Sequence, residues 1–292
     1  MRILDILKQR ERGISFEFFP ARSPEAEKSL AATVKALTAY KPMYMSMTCG
    51  AGGGKQGRTQ EAVCMLLKEK GMVVMPHVTS VDITQNSMRE LLNSYKESGI
   101  ENLMVLRGDP PQGVANFDFS RQEFSYASDL VRFIRSEYGE YFCMGVAVYP
   151  EGHLETSTLE EDMKYTKQKV QMGADFAVTQ MFFDNLYYYF LVDRMRKEGL
   201  SLPVLPGILP LRDISIVKKF ASICRATIPP HIEEAMTRYE GKPKEMEKVG
   251  LEFTIQQCRD LIQNGVKRMH FYTLNKLEAI TTVLDAIGFS RN

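Results

Sequence analysis

Short apolar runs alternate with longer amphipathic stretches along nearly the whole chain. The runs Ile14–Phe19, Met43–Thr48, Val73–Val78, Asn102–Arg107, Met144–Tyr149, Phe176–Gln180, Pro203–Ile208 and Arg268–Tyr272 read as strands. Between them apolar residues recur at helical spacing. The first four runs begin roughly 30 residues apart, the length of one strand–helix unit. Near-continuous apolar strands separated by helices argue for a parallel sheet covered on its outside. Eight such strands predict an α/β protein closed into a (β/α)8 TIM barrel. An open doubly wound sheet is the alternative.

Local signals mark the helix ends. Ser23-Pro24 is a cap followed by proline at the first helical position. Asp184 and Asp213 can cap two later helices, and Gly71, Gly99, Gly173, Gly199 and Gly265 each stand where a helical pattern stops before a strand. Three connections are long: Asp109–Ser125, Pro150–Thr158 and Ala226–Val249, the last with room for extra helical turns. Met1–Arg12 reads as a short amphipathic helix without the apolar core of a signal peptide. No linker or repeat interrupts residues 1–292, so one catalytic barrel with a short N-terminal helix, and no regulatory domain, is expected.

Composition narrows the class further. A formal net charge of +1 gives no general attraction to nucleic acid or an anionic membrane. Cys49, Cys64, Cys143, Cys224 and Cys258 form no CxxC pair, as free thiols in a reducing cytoplasm would. His77, His153, His231 and His270 are not at ligand spacing, so no metal is expected. No apolar run is long enough to span a bilayer.

Polar residues that look out of place in apolar strands gather near the strands' carboxyl ends. They are Glu17, Thr48, His77, Arg107 with Asp109, Tyr149 with His153, Gln180, and Tyr272 with Asn275. In a barrel those ends form one face, where active sites are built. Along Ile14–Pro20, side-chain alternation puts Ile14, Phe16 and Phe18 on one face and Ser15, Glu17 and Phe19 on the other. Burial is expected to raise the pKa of Glu17 and suit it to hold a proton near neutral pH; an exposed edge strand with Glu17 in water is the plain alternative. His77 could instead be a core histidine, Tyr149-Pro150 plain turn chemistry, and Arg107-Gly108-Asp109-Pro110-Pro111 a stiff turn with a local ion pair. Gly52-Gly53-Gly54-Lys55-Gln56-Gly57 satisfies G-x-G-x-x-G but lacks an acid at the end of the next strand. It reads as a loop at the rim of the site.

Eight ordered motifs carry a resemblance: Ser15–Pro20, Pro76–Thr79, Leu106–Asp109, Tyr126–Leu130, Ala147–His153, Thr179–Asp184, Pro206–Pro210 and His270–Asn275. The chain resembles bacterial methylenetetrahydrofolate reductase over nearly its whole length. The resemblance implies a homo-oligomeric FAD-containing barrel that reduces 5,10-methylenetetrahydrofolate to 5-methyltetrahydrofolate with NADH or NADPH, for methionine synthesis. It implies Glu17 as general acid and Asp109 as the carboxylate beside the flavin. It implies FAD contacts at Thr48, Ala51, His77, Arg107, Gly108, Asp109, Tyr126, Ala127, Tyr149, His153, Asp162 and Lys169. Gln180, Phe220 and Lys276, with Glu17, match substrate positions. Lys276 stands where the family has an arginine, Ile216 where it has a glutamine, and Tyr165 and Gln168 where it has an asparagine and an arginine. Other readings are a flavin barrel like proline dehydrogenase, a non-catalytic flavin- or folate-binding subunit, and a structural barrel without cofactor.

Overall fold

The computed structural model describes the chain except for residues 50–55, 70, 112, 115–116 and 292 and the side chains of residues 56–58. Every expected strand forms: β1 (Gly13–Phe18), β2 (Met45–Met47), β3 (Val74–Thr79), β4 (Asn102–Leu106), β5 (Cys143–Val148), β6 (Phe176–Thr179), β7 (Val204–Leu205), β8 (Gly207–Ile208) and β9 (Arg268–Tyr272). All pair in parallel, in the order β7-β6-β5-β4-β3-β2-β1-β9-β8. The helices are α1 (Ile3–Gln9), α2 (Pro24–Thr38), α3 (Gln56–Leu67), α4 (Gln85–Glu97), α5 (Ala127–Tyr138), α6 (Leu159–Gln171), α7 (Asn185–Lys197), α8 (Ile214–Cys224), α9 (Pro230–Thr237), α10 (Pro243–Gln263) and α11 (Leu277–Ala286). This is a (β/α)8 barrel, and the long Ala226–Val249 connection contains α9 and the start of α10.

The expected strand Pro203–Ile208 becomes two short pieces, β7 and β8, divided at Pro206. Proline has no N–H to give a ladder. β7 pairs with β6 through Ala177 and Val204, whereas β8 pairs with β9 through Gly207 and His270. One continuous segment therefore joins the two ends of the sheet and closes the ring. Side chains stitch this seam: Gly207 N–H donates to Thr179 Oγ1 (2.9 Å), and the Tyr272 hydroxyl donates to the Thr179 carbonyl (2.6 Å). A Cβ on Gly207 would sit 2.3 Å from that carbonyl oxygen and 2.6 Å from the Tyr272 hydroxyl, so only glycine fits.

Strand alternation sorts the core into two layers. Ile14, Phe16 and Phe18 point outward and pack with Leu30, Val34 and Leu37 of α2. The inward set at the amino-terminal end is Tyr44, Met75, Met104, Cys143, Phe176 and Leu205, packed on Ile3, Ile6 and Leu7 of α1. The short helix thus plugs the bottom of the barrel, each of its buried side chains contributing roughly 1.5–3 kcal/mol. Its entry is fixed by Ile3 N–H donating to Asn102 Oδ1 (2.6 Å). The caps form as expected: Ser23 accepts from Ala26 N–H, Asp184 from Leu186 N–H and Asp213 from Ser215 N–H. The five helix-stopping glycines all have positive φ.

Gly207→Ala is expected to lower stability by about 3 kcal/mol, the upper range for forced overpacking. A urea midpoint equal to wild type would contradict a closed seam at this residue.

Candidate active site

The inward side chains change character above the apolar floor. Glu17, on β1, is 8% exposed and lies inside the ring between His77 of β3 and His270 of β9. Its Oε2 is 3.4 Å from Nε2 of each imidazole. The His270 contact has hydrogen-bond geometry; His77 Nε2 is near enough for attraction but makes no hydrogen bond. Behind His270, its Nδ1 is 2.8 Å from Ser15 Oγ and 3.4 Å from the Tyr44 hydroxyl, and the Tyr44 ring stacks on the imidazole at 5.7 Å.

The expected rise in the Glu17 pKa does not occur. Burial is the largest single influence and pushes the carboxyl up, but His77 and then His270 together outweigh it and hold it below the ordinary value. The reasoning from β1 alone counted desolvation and had no means of seeing the two imidazoles. His77 is shifted down, first by burial and against the pull of Glu17, with His270 adding to the fall. A neutral imidazole beside a carboxylate is therefore the resting state at this corner.

The turn after β9 fastens the end of β1. Thr273 Oγ1 donates to the Glu17 carbonyl (2.6 Å), and Asn275 brackets Phe19, accepting its N–H (3.0 Å) and donating to its C=O (2.9 Å). Leu274 and Asn275 both have left-handed backbones, φ 45° and 57°. Such conformations are rare for leucine and persist where the surroundings over-determine them. Lys276 follows, exposed, at the start of α11.

A second part of the site lies at the ends of β4 and β5. A cleft of about 230 Å³ is lined by Arg107, Phe119, Tyr126, Ala127, Tyr149, His153, Glu155, Asp162, Tyr165 and Lys169, among others. Arg107 forks onto Glu155 through two contacts of 2.6 and 2.5 Å and lies 3.9 Å over the Phe119 ring. Arg107 holds the Glu155 carboxyl below its usual range. Tyr126 and Tyr165 stack at 5.3 Å. Asp162 Oδ1 accepts from His153 N–H (3.0 Å), and Lys169 donates to the Ala147 carbonyl (2.5 Å). Burial drives the Lys169 ammonium down to about 8, against the attraction of Asp162. Arg225, at the end of α8, ties down the loop by donating to the His153 and Thr156 carbonyls.

Seven of the residues expected to hold a cofactor therefore line one cleft: Arg107, Tyr126, Ala127, Tyr149, His153, Asp162 and Lys169. Thr48, His77, Gly108 and Asp109 are not on its wall. Thr48 and His77 are buried inside the barrel, and Asp109 is exposed beyond β4, close enough to α8 to help burial raise the Cys224 thiol to about 11. Gly108 has φ +85°, and a Cβ there would meet Val81 Cγ1 at 2.7 Å. Ala51 and most of the glycine-rich stretch (residues 52–55) lie outside the described residues. Gln180 follows β6 and accepts its neighbour Met181 N–H on Oε1. Phe220 and Ile216 are one turn apart on α8, Phe220 half-buried and Ile216 46% exposed. The sequence reading missed His270, Ser15, Tyr44, Glu155 and Phe119. His270 was within reach: it is two residues before Tyr272 and so shares its inward face.

A family profile described as methylenetetrahydrofolate reductase matches residues 2–288. The chain is 34% identical over 275 residues to the 5,10-methylenetetrahydrofolate reductase of Pectobacterium carotovorum, covering 94% of this chain and 90% of that protein. It is 33% identical to methylenetetrahydrofolate reductase 1 of Schizosaccharomyces pombe, covering 94% of this chain and 45% of the relative. It is 30% identical to methylenetetrahydrofolate reductase (NADH) 1 of Arabidopsis thaliana, covering 98% and 50%. The chain thus spans about half the length of these eukaryotic relatives. Among solved structures, a Clostridium thermocellum protein that binds two copies of 5-methyl-5,6,7,8-tetrahydrofolic acid aligns with a TM-score of 0.64 at 13% identity, over 98% of both chains, which shows a shared fold. Among the described residues no helix is long and apolar enough to cross a membrane.

The buried Lys169 sets a pH dependence of its own. Below about 8 it is protonated both folded and unfolded, and the cost of enclosing its charge is constant. From there to about 10 only the unfolded chain keeps the proton, so that cost is relieved as pH rises. Wild-type stability is therefore expected to rise relative to Lys169→Met across this window, read as urea midpoints; a constant difference would contradict a buried ammonium.

Proposed function

Because the chain belongs to the methylenetetrahydrofolate reductase family, we propose that it reduces 5,10-methylenetetrahydrofolate to 5-methyltetrahydrofolate, with bound FAD, NADH or NADPH as reductant, and the product used for methionine synthesis. The observation that carries this reading is the enclosed Glu17 carboxyl, flanked by two imidazoles on the catalytic face of the barrel.

The residues present suit FAD. Among the described residues, Thr48 Oγ1 and His77 Nε2 are buried polar atoms without a hydrogen-bond partner, and both stand at positions the family uses for the flavin. Orphaned buried polar atoms call for an explanation, and a polar heteroaromatic ligand provides one. Arg107 and Lys169 offer cations to a diphosphate in the adjoining cleft, and the Tyr126–Tyr165 pair offers a stacking surface. When bound, FAD supplies hydride transfer.

The chain's own residues carry the rest. The substrate is a five-membered ring closed by a one-carbon bridge, and protonating a bridge nitrogen opens it to an iminium cation. Glu17 donates that proton. Asp109 places a carboxylate at the mouth that favours the cation. Gln180 orients the planar ring of folate or nicotinamide by hydrogen bonding, and Phe220 packs on it. Lys276 meets the acidic folate tail as a point charge, without the fork an arginine would offer.

The purified protein is expected to be yellow and to bleach with NADH or NADPH. In Glu17→Gln, bleaching is expected to persist while reoxidation by methylenetetrahydrofolate is lost. A colourless protein that takes up no FAD, or full reoxidation in the variant, would overturn the reading.

A further inference from the structure

Glu17 needs a proton to donate, yet its surroundings favour the carboxylate. The group in hydrogen-bond geometry with it is His270, 1% exposed and placed on β9 directly alongside β1. We propose that His270 is the positioning residue that loads Glu17 with its proton, with the Ser15 hydroxyl switching the imidazole between its hydrogen-bonding forms. This rests on the proposed reduction of methylenetetrahydrofolate, in which Glu17 is the acid.

The geometry supplies each half of such a relay. His270 Nε2 faces Glu17 Oε2 at 3.4 Å, and Nδ1 faces Ser15 Oγ at 2.8 Å. A hydroxyl both donates and accepts. When Ser15 turns its hydrogen to the Met269 carbonyl, 3.5 Å away, its oxygen can accept Nδ1–H. A second hydrogen on Nε2 then makes the ring an imidazolium paired with the Glu17 carboxylate. Moving that hydrogen across to Oε2 leaves a neutral ring and a protonated carboxyl, with no other proton displaced. The carboxyl then passes the proton to the bridge nitrogen of the substrate. Nδ1 then gives up its hydrogen to solvent as Nε2 takes one up facing the carboxylate, and Ser15 turns back to donate to Nδ1. Counting the proton that formed the imidazolium, the cluster takes up one net proton from solvent per turnover. The 3.4 Å separation is long for transfer, as catalytic hydrogen bonds commonly are before substrate tightens them.

The surroundings fit a relay better than a packing role. The titratable groups that face the pair are His77 from β3, Tyr44 ahead of β2, and Tyr272 on β9. Burial holds both tyrosines far above their ordinary range, so they remain neutral hydroxyls and do not compete as acids at pH 7. Tyr44 stacks on the His270 ring with 20° between planes, and Tyr272 meets it edge-on at 5.5 Å. The ring is thereby held with its two nitrogens aimed at Ser15 and Glu17.

The test uses the flavin-loaded full chain. Reoxidation of the pre-reduced enzyme by methylenetetrahydrofolate is followed by stopped flow from about pH 5 to 8, the range over which an imidazole ordinarily changes charge. Reduction by NADH or NADPH in the same protein is the control, and the Glu17 carboxyl is titrated by 13C NMR, assigned through Glu17→Gln. In His270→Gln the carboxyl midpoint is expected to rise, since a favourable neighbour is gone, by about one pH unit, a tenfold gain in proton affinity. The folate step is nevertheless expected to fall about 100-fold relative to the control step. If His270 merely tuned the carboxyl, a more readily protonated Glu17 would react as fast or faster near neutral pH, and that result overturns the proposal. So does a carboxyl that titrates as in wild type. Ser15→Ala removes one oxygen and tests the switch if His270→Gln does not fold: about tenfold slowing, one hydrogen bond's worth, is expected, and an unchanged rate overturns it. A wild-type protein that shows the coupled titration but never reduces the folate would instead sink the proposed reaction.

Discussion

A carboxylate enclosed with two imidazoles is the constraint on which the rest of this barrel depends. Taking the Glu17 charge out of water is costly, and the cost is met only while His77 and His270 stay in place. Those two side chains come from strands on either side of β1, so their spacing is set by the pairing of β3, β2, β1 and β9. β9 pairs directly with β1 over five residue pairs, which fixes His270 beside Glu17. The seam at Pro206 and Gly207, where one segment hydrogen-bonds in two directions, closes the ring around this row of strands.

Below the carboxyl the lumen is apolar and filled by α1; above it the lumen is polar. The change falls at one residue layer, where Ser15, Tyr44 and His270 form the floor under Glu17. Laterally, the cleft with Arg107, Glu155 and Lys169 collects charge on the β4–β6 side. The buried carboxyl and the charged cleft are thus held on different strands of the barrel, a separation that TIM barrels permit because each strand end carries its own loop. The left-handed Leu274–Asn275 turn, bolted to Phe19, shows the scaffold accepting local strain to fix the acid's backbone.

Much of this was legible in the amino-acid sequence. Apolar periodicity located every strand, because buried parallel strands must be apolar on both faces. Caps such as Ser23 and Asp213 were readable because their chemistry is local. The polar strand ends that make up the candidate site were readable for the same reason: a polar side chain in an apolar run is a local anomaly. Pairings between distant segments were not readable. The split at Pro206 arises from two neighbours competing for one strand. The lowered pKa of Glu17 turned on His77 and on His270, the latter 253 residues away. The Arg107–Glu155 fork likewise joins two loops. Where an energy depends on such a partner, desolvation estimated from one strand gives the wrong sign.

The most direct measurement of the central claim is a crystal structure of the flavin-loaded protein soaked with 5-methyltetrahydrofolate. The account requires a nitrogen of the former one-carbon bridge to lie within about 3 Å of the Glu17 carboxyl, or joined to it by one water. Folate bound with those nitrogens on another side of the barrel mouth, and Glu17 facing only protein, would contradict it.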